Sequence, residues 1–177
     1  MADLALRVFH NIRATLPPMI LLAGLTTAAV TGGPQAAADD GMDAYQAGLA
    51  AYDGGRYADA VRQWRTAARA GLAPAMTALA GLYHLGEGVG ADMALALGWY
   101  RRAAEAGDVT AQLNLGELLA DGSGVARDPM AAHHWLSLAA RQGNAWAARR
   151  LARLEGTMTA SQRKAARKIA ENQAPVN

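Results

Sequence analysis

Ala111-Gln-Leu-Asn-Leu-Gly-Glu-Leu-Leu-Ala-Asp-Gly-Ser-Gly-Val-Ala-Arg-Asp-Pro-Met-Ala-Ala-His-His-Trp-Leu-Ser-Leu-Ala-Ala-Arg-Gln-Gly143 decides the fold, because a shift of 36 residues maps it onto the stretch before it. Under that shift Ala75 meets Ala111, Leu79 meets Leu115, Leu82 meets Leu118, Gly86 meets Gly122, Gly88 meets Gly124, Asp92 meets Asp128 and Trp99 meets Trp135. Gly71, Gly107 and Gly143 keep the same spacing. A fixed period of this size signals units that bury their apolar faces on one another in series.

Each period holds two helical patterns. Ala75, Leu79, Leu82 and Tyr83 recur at steps of three and four, and so do Ala96, Tyr100, Ala103 and Ala104. Between them lies Gly86-Glu-Gly88-Val89, repeated as Gly122-Ser-Gly124-Val125, where glycine supplies the left-handed conformation that ends one helix and turns toward the next. Asp92 and Asp128 stand at N-cap positions, with Pro129 at the first helical position. Gly71, Gly107 and Gly143 stand at the C′ positions of the second helices. The alanines let neighbouring helices approach closely, and Trp99 and Trp135 are expected to fill the wider gaps. On that reading Trp135→Ala costs about 3 to 5 kcal/mol.

The combination Leu-Gly, Gly-x-Gly-Val, Asp, Ala, Trp, Ala-Ala and Gly resembles the Sel-one-like repeat (SLR) family, a branch of the tetratricopeptide-related helical solenoids. The resemblance implies an all-α protein, a right-handed α/α solenoid of about four helix-turn-helix repeats. The expected division is a signal peptide over 1–38, a first tetratricopeptide-like repeat over 39–71, Sel-one-like repeats over 72–107 and 108–143, a degenerate capping repeat over 144–172 and a tail over 173–177. The first repeat has a turn shorter by four residues, Asp53-Gly-Gly-Arg56, and its Trp64 aligns with Tyr100 rather than Trp99. The last begins with Ala147, Leu151 and Leu154, carries Glu155-Gly156-Thr-Met-Thr159 in place of the long turn, and ends in a basic helix from Ala160 to Asn172. Terminal repeats differ because one of their faces meets water.

Arg7, His10 and Arg13, the apolar run Met19 to Val30 and then Ala36-Ala37-Ala38 before Asp39-Asp40 read as a secretory signal cleaved between Ala38 and Asp39. A run of 12 residues is short for a hydrocarbon core of about 30 Å. An uncleaved inner-membrane anchor is the alternative. Fifteen arginines against two lysines, with much Ala and Gly, point to a GC-rich bacterial genome and a periplasmic destination.

Composition excludes several chemistries. There is no cysteine, hence no disulfide, thiolate zinc site, cysteine nucleophile or lipoprotein anchor. A net charge of +2 does not make a nucleic-acid-binding face. The distribution is uneven, with 11 acidic and 6 basic residues from Asp39 to Val125 against 3 acidic and 9 basic from Ala126 to Asn177. His133 and His134 point about 100° apart on a helix and do not make a metal pair. Asp39, Asp40 and Asp43 lack the further oxygen ligands of a calcium loop. No metal and no cofactor is expected. The basic helix can serve as an exposed face or as a weak contact for anionic lipid.

By the family resemblance, the expected function is that of a non-enzymatic module that binds a protein partner through a concave face and acts as an adaptor or regulator of an envelope complex. Position within the repeat selects Tyr45, Tyr52, Thr77, His84, Leu113 and Glu117 as exposed first-helix residues lining that face. Tyr45 and Tyr52 read equally well as packing residues within their repeat. Two alternatives stand beside this reading: a secreted hydrolase of the penicillin-binding or β-lactamase type known among cysteine-rich relatives, and a structural envelope spacer. Against the first, the chain has no Gly-x-Ser-x-Gly, and its one Ser-x-x-Lys spacing, Ser161 to Lys164, falls within the basic helix.

Overall fold

The computed structural model describes residues 34–172, with side chains from 40 to 170. The expected signal segment therefore lies almost wholly outside the described residues, as does the tail at 173–177. Every regular element among the described residues is a helix: α1 (Pro34–Asp53), α2 (Tyr57–Arg69), α3 (Ala73–Leu85), α4 (Met93–Glu105), α5 (Val109–Asp121), α6 (Pro129–Arg141), α7 (Ala145–Thr157) and α8 (Ala160–Asn172). The chain forms two compact units divided between Ala91 and Asp92. In the first, α1 packs on α2 and α2 on α3; in the second, α4 packs on α5, α5 on α6, α6 on α7 and α8 on α6.

The helix ends follow the sequence signals. The Asp92 carboxylate accepts from the Leu95 N–H at 2.9 Å and the Asp128 carboxylate from the Met130 and Ala131 N–H groups at 3.1 and 3.0 Å. Asp108 and Asn144 cap α5 and α7 in the same way, at 2.7 and 2.9 Å. Each cap satisfies an otherwise orphaned first-turn donor. After α2, α4 and α6 the chain closes in one recurring form. The glycine has positive φ, and the residue after it donates back five positions, from Leu72 to Ala67, Asp108 to Ala103 and Asn144 to Ala139. This is the Schellman arrangement, and glycine is needed because the conformation is left-handed.

The long turn carries a stricter demand. Gly88 has φ +69°, and a Cβ on it would lie 2.3 Å from the Tyr57 carbonyl carbon and 2.4 Å from the Ala58 nitrogen. Here the loop after α3 rests on the backbone that starts α2, so a side chain is excluded by contact as well as by conformation.

Side-chain burial revises one expectation. Trp99 and Trp135 are only half-buried, whereas Trp64, Tyr100 and Leu136 are fully buried. These three are themselves spaced by 36. In the α1–α2 and α5–α6 hairpins the gap is filled by the residue one past the tryptophan position, which the helical rotation turns about 100° further toward the partner helix. That partner is pared down to receive it. A Cβ on Gly48 would lie 2.3 Å from the Trp64 indole nitrogen, and one on Gly116 would lie 2.7 Å from Leu136 Cγ. The first pairing spans 16 residues and the second 20, so the shorter first turn keeps the filler on its glycine.

The C-terminal hairpin departs from expectation too. α7 runs through Glu155 and Gly156 to Thr157, which leaves only Met158 and Thr159 between the helices. Gly156 keeps a negative φ and continues the helix instead of breaking it. A reciprocal capping box starts α8, with Thr159 N–H donating to Gln162 Oε1 at 2.9 Å and Gln162 N–H to Thr159 Oγ1 at 3.2 Å.

Candidate protein-interaction surface

Four of the six residues expected to line an exposed face are buried: Tyr45, Thr77, Leu113 and Glu117. The cause is the composition of their helices. From Ala75 to Tyr83 in α3 and from Thr110 to Ala120 in α5 every residue is buried. α3 is rich in Ala, Leu and Gly and nearly apolar all round, and α5 is covered so fully that its polar Gln112, Asn114 and Glu117 are enclosed with its leucines.

In the first unit, Tyr45 is a packing residue whose carbonyl accepts from Trp64 Nε1 at 3.2 Å. Tyr52 is half-buried, with its ring stacked 5.6 Å from that of Trp64 and its hydroxyl donating to Glu87 Oε2 at 3.3 Å. Burial and the nearby Glu87 carboxylate both push the Tyr52 hydroxyl pKa upward. Thr77 Oγ1 donates to the Ala73 carbonyl at 3.3 Å. His84 is half-buried, and desolvation lowers its pKa. Tyr45 and Tyr52 are thus brought together around Trp64 and serve the hairpin.

In the second unit, buried Glu117 organises a set of residues the sequence reading passed over. Its Oε1 accepts from Trp146 Nε1 at 3.0 Å and lies 3.9 Å from Arg150 Nε. Arg150 also pairs with Asp121. Two carboxylates thus hold Arg150 against the protein. Trp146 is 37% exposed, and the Arg149 guanidinium lies over its ring, 5.0 Å from the centroid. Arg149 and Arg153 are exposed, and among the described residues no carboxylate pairs with either.

Trp146, Arg149 and Arg153 lie 36 residues beyond Thr110, Leu113 and Glu117. The signal that finds them is the same period carried one step further. At i, i+3 and i+7 they form one row along α7, and the exposed residues beside the row are Ala145, Ala148, Ala152 and Gly156. The result is a track of small residues edged by an aromatic ring and two guanidinium groups.

The histidines serve packing. His133 Nε2 lies 3.0 Å from Glu155 Oε1, and the His134 ring meets Trp135 edge-on at 4.8 Å. Among the described residues no group of three or more His, Cys, Asp or Glu could hold a metal ion, and no helix is long and apolar enough to cross a membrane. In α8, Arg163 donates to the carbonyls of Glu155 and Met158, and Arg167 forks onto both Glu155 oxygens at 3.2 and 2.7 Å. Arg163 and Arg167 of the basic quartet are thereby tied to the end of α7 and the turn after it, while Lys164, Arg167 and Lys168 remain exposed.

These features define a helical repeat solenoid. The repeat itself is the Sel1 repeat, which matches at residues 73–108 and again at 109–144. Sel1 repeats are generally protein-interaction modules, and the fold is typically a non-catalytic scaffold. One similar solved structure is a protective antigen present in uropathogenic Escherichia coli strains that displays an SLR fold. It has 28% identity and a TM-score of 0.64 over 80% of this chain and 30% of its own. A Sel1 repeat protein from Oxalobacter formigenes has 30% identity and a TM-score of 0.60 over 68% of this chain and 50% of its own. The chain thus spans half or less of these proteins. No curated protein matches it.

Proposed function

We propose that this chain is an exported, non-enzymatic interaction module that acts as an adaptor or regulator within an envelope complex. The observation that carries the reading is the pairing of two Sel1 repeats with an exposed Trp and Arg row on the helix that follows them. Aromatic and arginine side chains on a rigid element are the composition of binding hot spots. The order Arg7, Arg13, apolar run, Ala36-Ala37-Ala38 supports export, with the mature chain starting at Asp39. The backbone of α1 is helical across Ala38 and Asp39, so the site of processing has to be read on the exported chain.

A photo-crosslinking amino acid placed at Ala152 in the native cell tests the reading. A discrete adduct with one envelope protein is expected, on a chain whose N-terminal sequence begins at Asp39. Absence of any adduct at Ala152 and at further exposed positions on the other helices removes the interaction reading. A chain that keeps Met1 removes the cleaved-signal reading and leaves an anchored module.

A further inference from the structure

We propose that the Trp146, Arg149 and Arg153 row of α7 is a docking strip for an extended acidic segment of a partner protein. The inference rests on the interaction-module reading above and names the chemistry of its partner. Three observations converge on it.

The first is electrostatic. Arg150 shows how this fold settles an arginine it intends to keep, between Glu117 and Asp121. Among the described residues Arg149 and Arg153 receive no such partner, although they stand four apart on one helix, where like charges repel. They also lie in the part of the chain from Ala126 onward, where basic residues outnumber acidic ones 9 to 3. A carboxylate-bearing ligand relieves the repulsion and completes both guanidinium groups with the bidentate geometry they favour.

The second is pre-organisation. Trp146 is tied down by its hydrogen bond to a buried carboxylate, and the stacked Arg149 is held over the ring. Both side chains have therefore given up much of their freedom before any partner arrives, which lowers the entropic cost of binding.

The third is shape. Ala145, Ala148, Ala152 and Gly156 let a backbone lie close along the helix beside the charged row. They offer little apolar bulk to a bilayer, and the single exposed tryptophan has its polar edge turned inward to Glu117. An amphipathic membrane helix needs a broad apolar face, which this face lacks. Charge and shape together favour a peptide over a lipid surface.

The test uses the full exported chain and a fluorescein-labelled peptide alternating Asp, Glu and Ser, with an Asn, Gln and Ser peptide as its neutral counterpart. Anisotropy is expected to show saturable binding of the acidic peptide alone, weakening as salt rises. Arg149→Glu with Arg153→Glu should weaken it by about tenfold or more, and Trp146→Ala should weaken it as well. Arg69→Glu with Arg101→Glu makes the same change in net charge at exposed positions on other helices and should leave binding near the starting value. Should circular dichroism show the first pair misfolded, Arg149→Gln with Arg153→Gln takes its place.

Equal losses in both charge-reversed pairs mean diffuse attraction and overturn the strip. Binding to phosphatidylglycerol vesicles without binding to the acidic peptide overturns it in favour of a lipid surface. Concentration-dependent dimerisation in sedimentation velocity, abolished by the α7 variant, overturns it in favour of a second copy of this chain. An envelope partner crosslinked equally by wild type and by Arg149→Glu with Arg153→Glu overturns the strip while leaving the interaction-module reading standing.

Discussion

Trp135 and Leu136 are neighbours in α6 and face different surroundings, one half-buried and the other fully buried against Gly116. Tryptophan draws attention as the largest side chain in a repeat, yet the position that repeats in the core is the one after it, held by Trp64, Tyr100 and Leu136. Three chemically different residues at one core position read as no pattern at all, while two identical tryptophans beside them read as a strong one. Burial depends on which way a side chain points, and sequence identity between repeats does not report that. Because Leu136 is enclosed, Leu136→Ala leaves a cavity and is expected to cost about 2 to 5 kcal/mol. Trp135→Ala removes a partly solvated ring and is expected to cost roughly 1 to 2 kcal/mol, in proportion to the smaller area withdrawn from water. Urea denaturation of the two variants checks the order. A larger loss for Trp135→Ala would restore tryptophan as the filler of the hairpin.

At the scale of the element, α8 is held by a clip that its sequence does not disclose. Glu155 of α7 receives both nitrogens of Arg167 from α8 and lies 3.0 Å from His133 of α6, so three helices meet on one carboxylate. The Arg167 hydrogen bonds first, and then the one shared with His133, hold the Glu155 pKa down at about 2, against 4.5 ordinarily. A carboxyl whose folded pKa is depressed contributes stability in full above its unfolded value, and the contribution disappears as pH falls through the folded value. The clip should therefore act fully above about pH 4.5 and fade toward pH 2. Glu155→Gln is expected to lower the urea midpoint at pH 7 and to make little difference near pH 2. A mutant deficit that persists unchanged at pH 2 would show that Glu155 acts through packing alone. The sequence led to a turn beginning at Glu155 because Gly156 resembles a break, but glycine ends a helix only where a left-handed residue is required, and here the helix continues.

Over the molecule as a whole, the hairpin repeat was open to reading because its period is written in backbone-determining residues. Glycines at left-handed positions and Asp at N-caps are tied to local conformation, which sequence encodes directly. The interaction surface was not, because exposure is a property of the assembled array. Position within the repeat pointed to Leu113 and Glu117, and the assembly buries both while exposing their equivalents Arg149 and Arg153. The difference is one of place in the series, since an interior repeat is covered on more sides than a terminal one. In such an array each element draws its stability from its immediate neighbours, so protection should follow coverage. α5 is buried from Thr110 to Ala120, whereas α8 has a single described residue in the core, Ala166. Native-state hydrogen exchange is therefore expected to find the slowest amides of the second unit in α5 and the fastest helical amides in α8, with α7 between them. The amides facing the α7 strip should slow when the acidic peptide binds, while those of α5 stay as they are. Uniform exchange across α5, α7 and α8 would mean that the second unit opens all at once, and that stability is not parcelled out repeat by repeat.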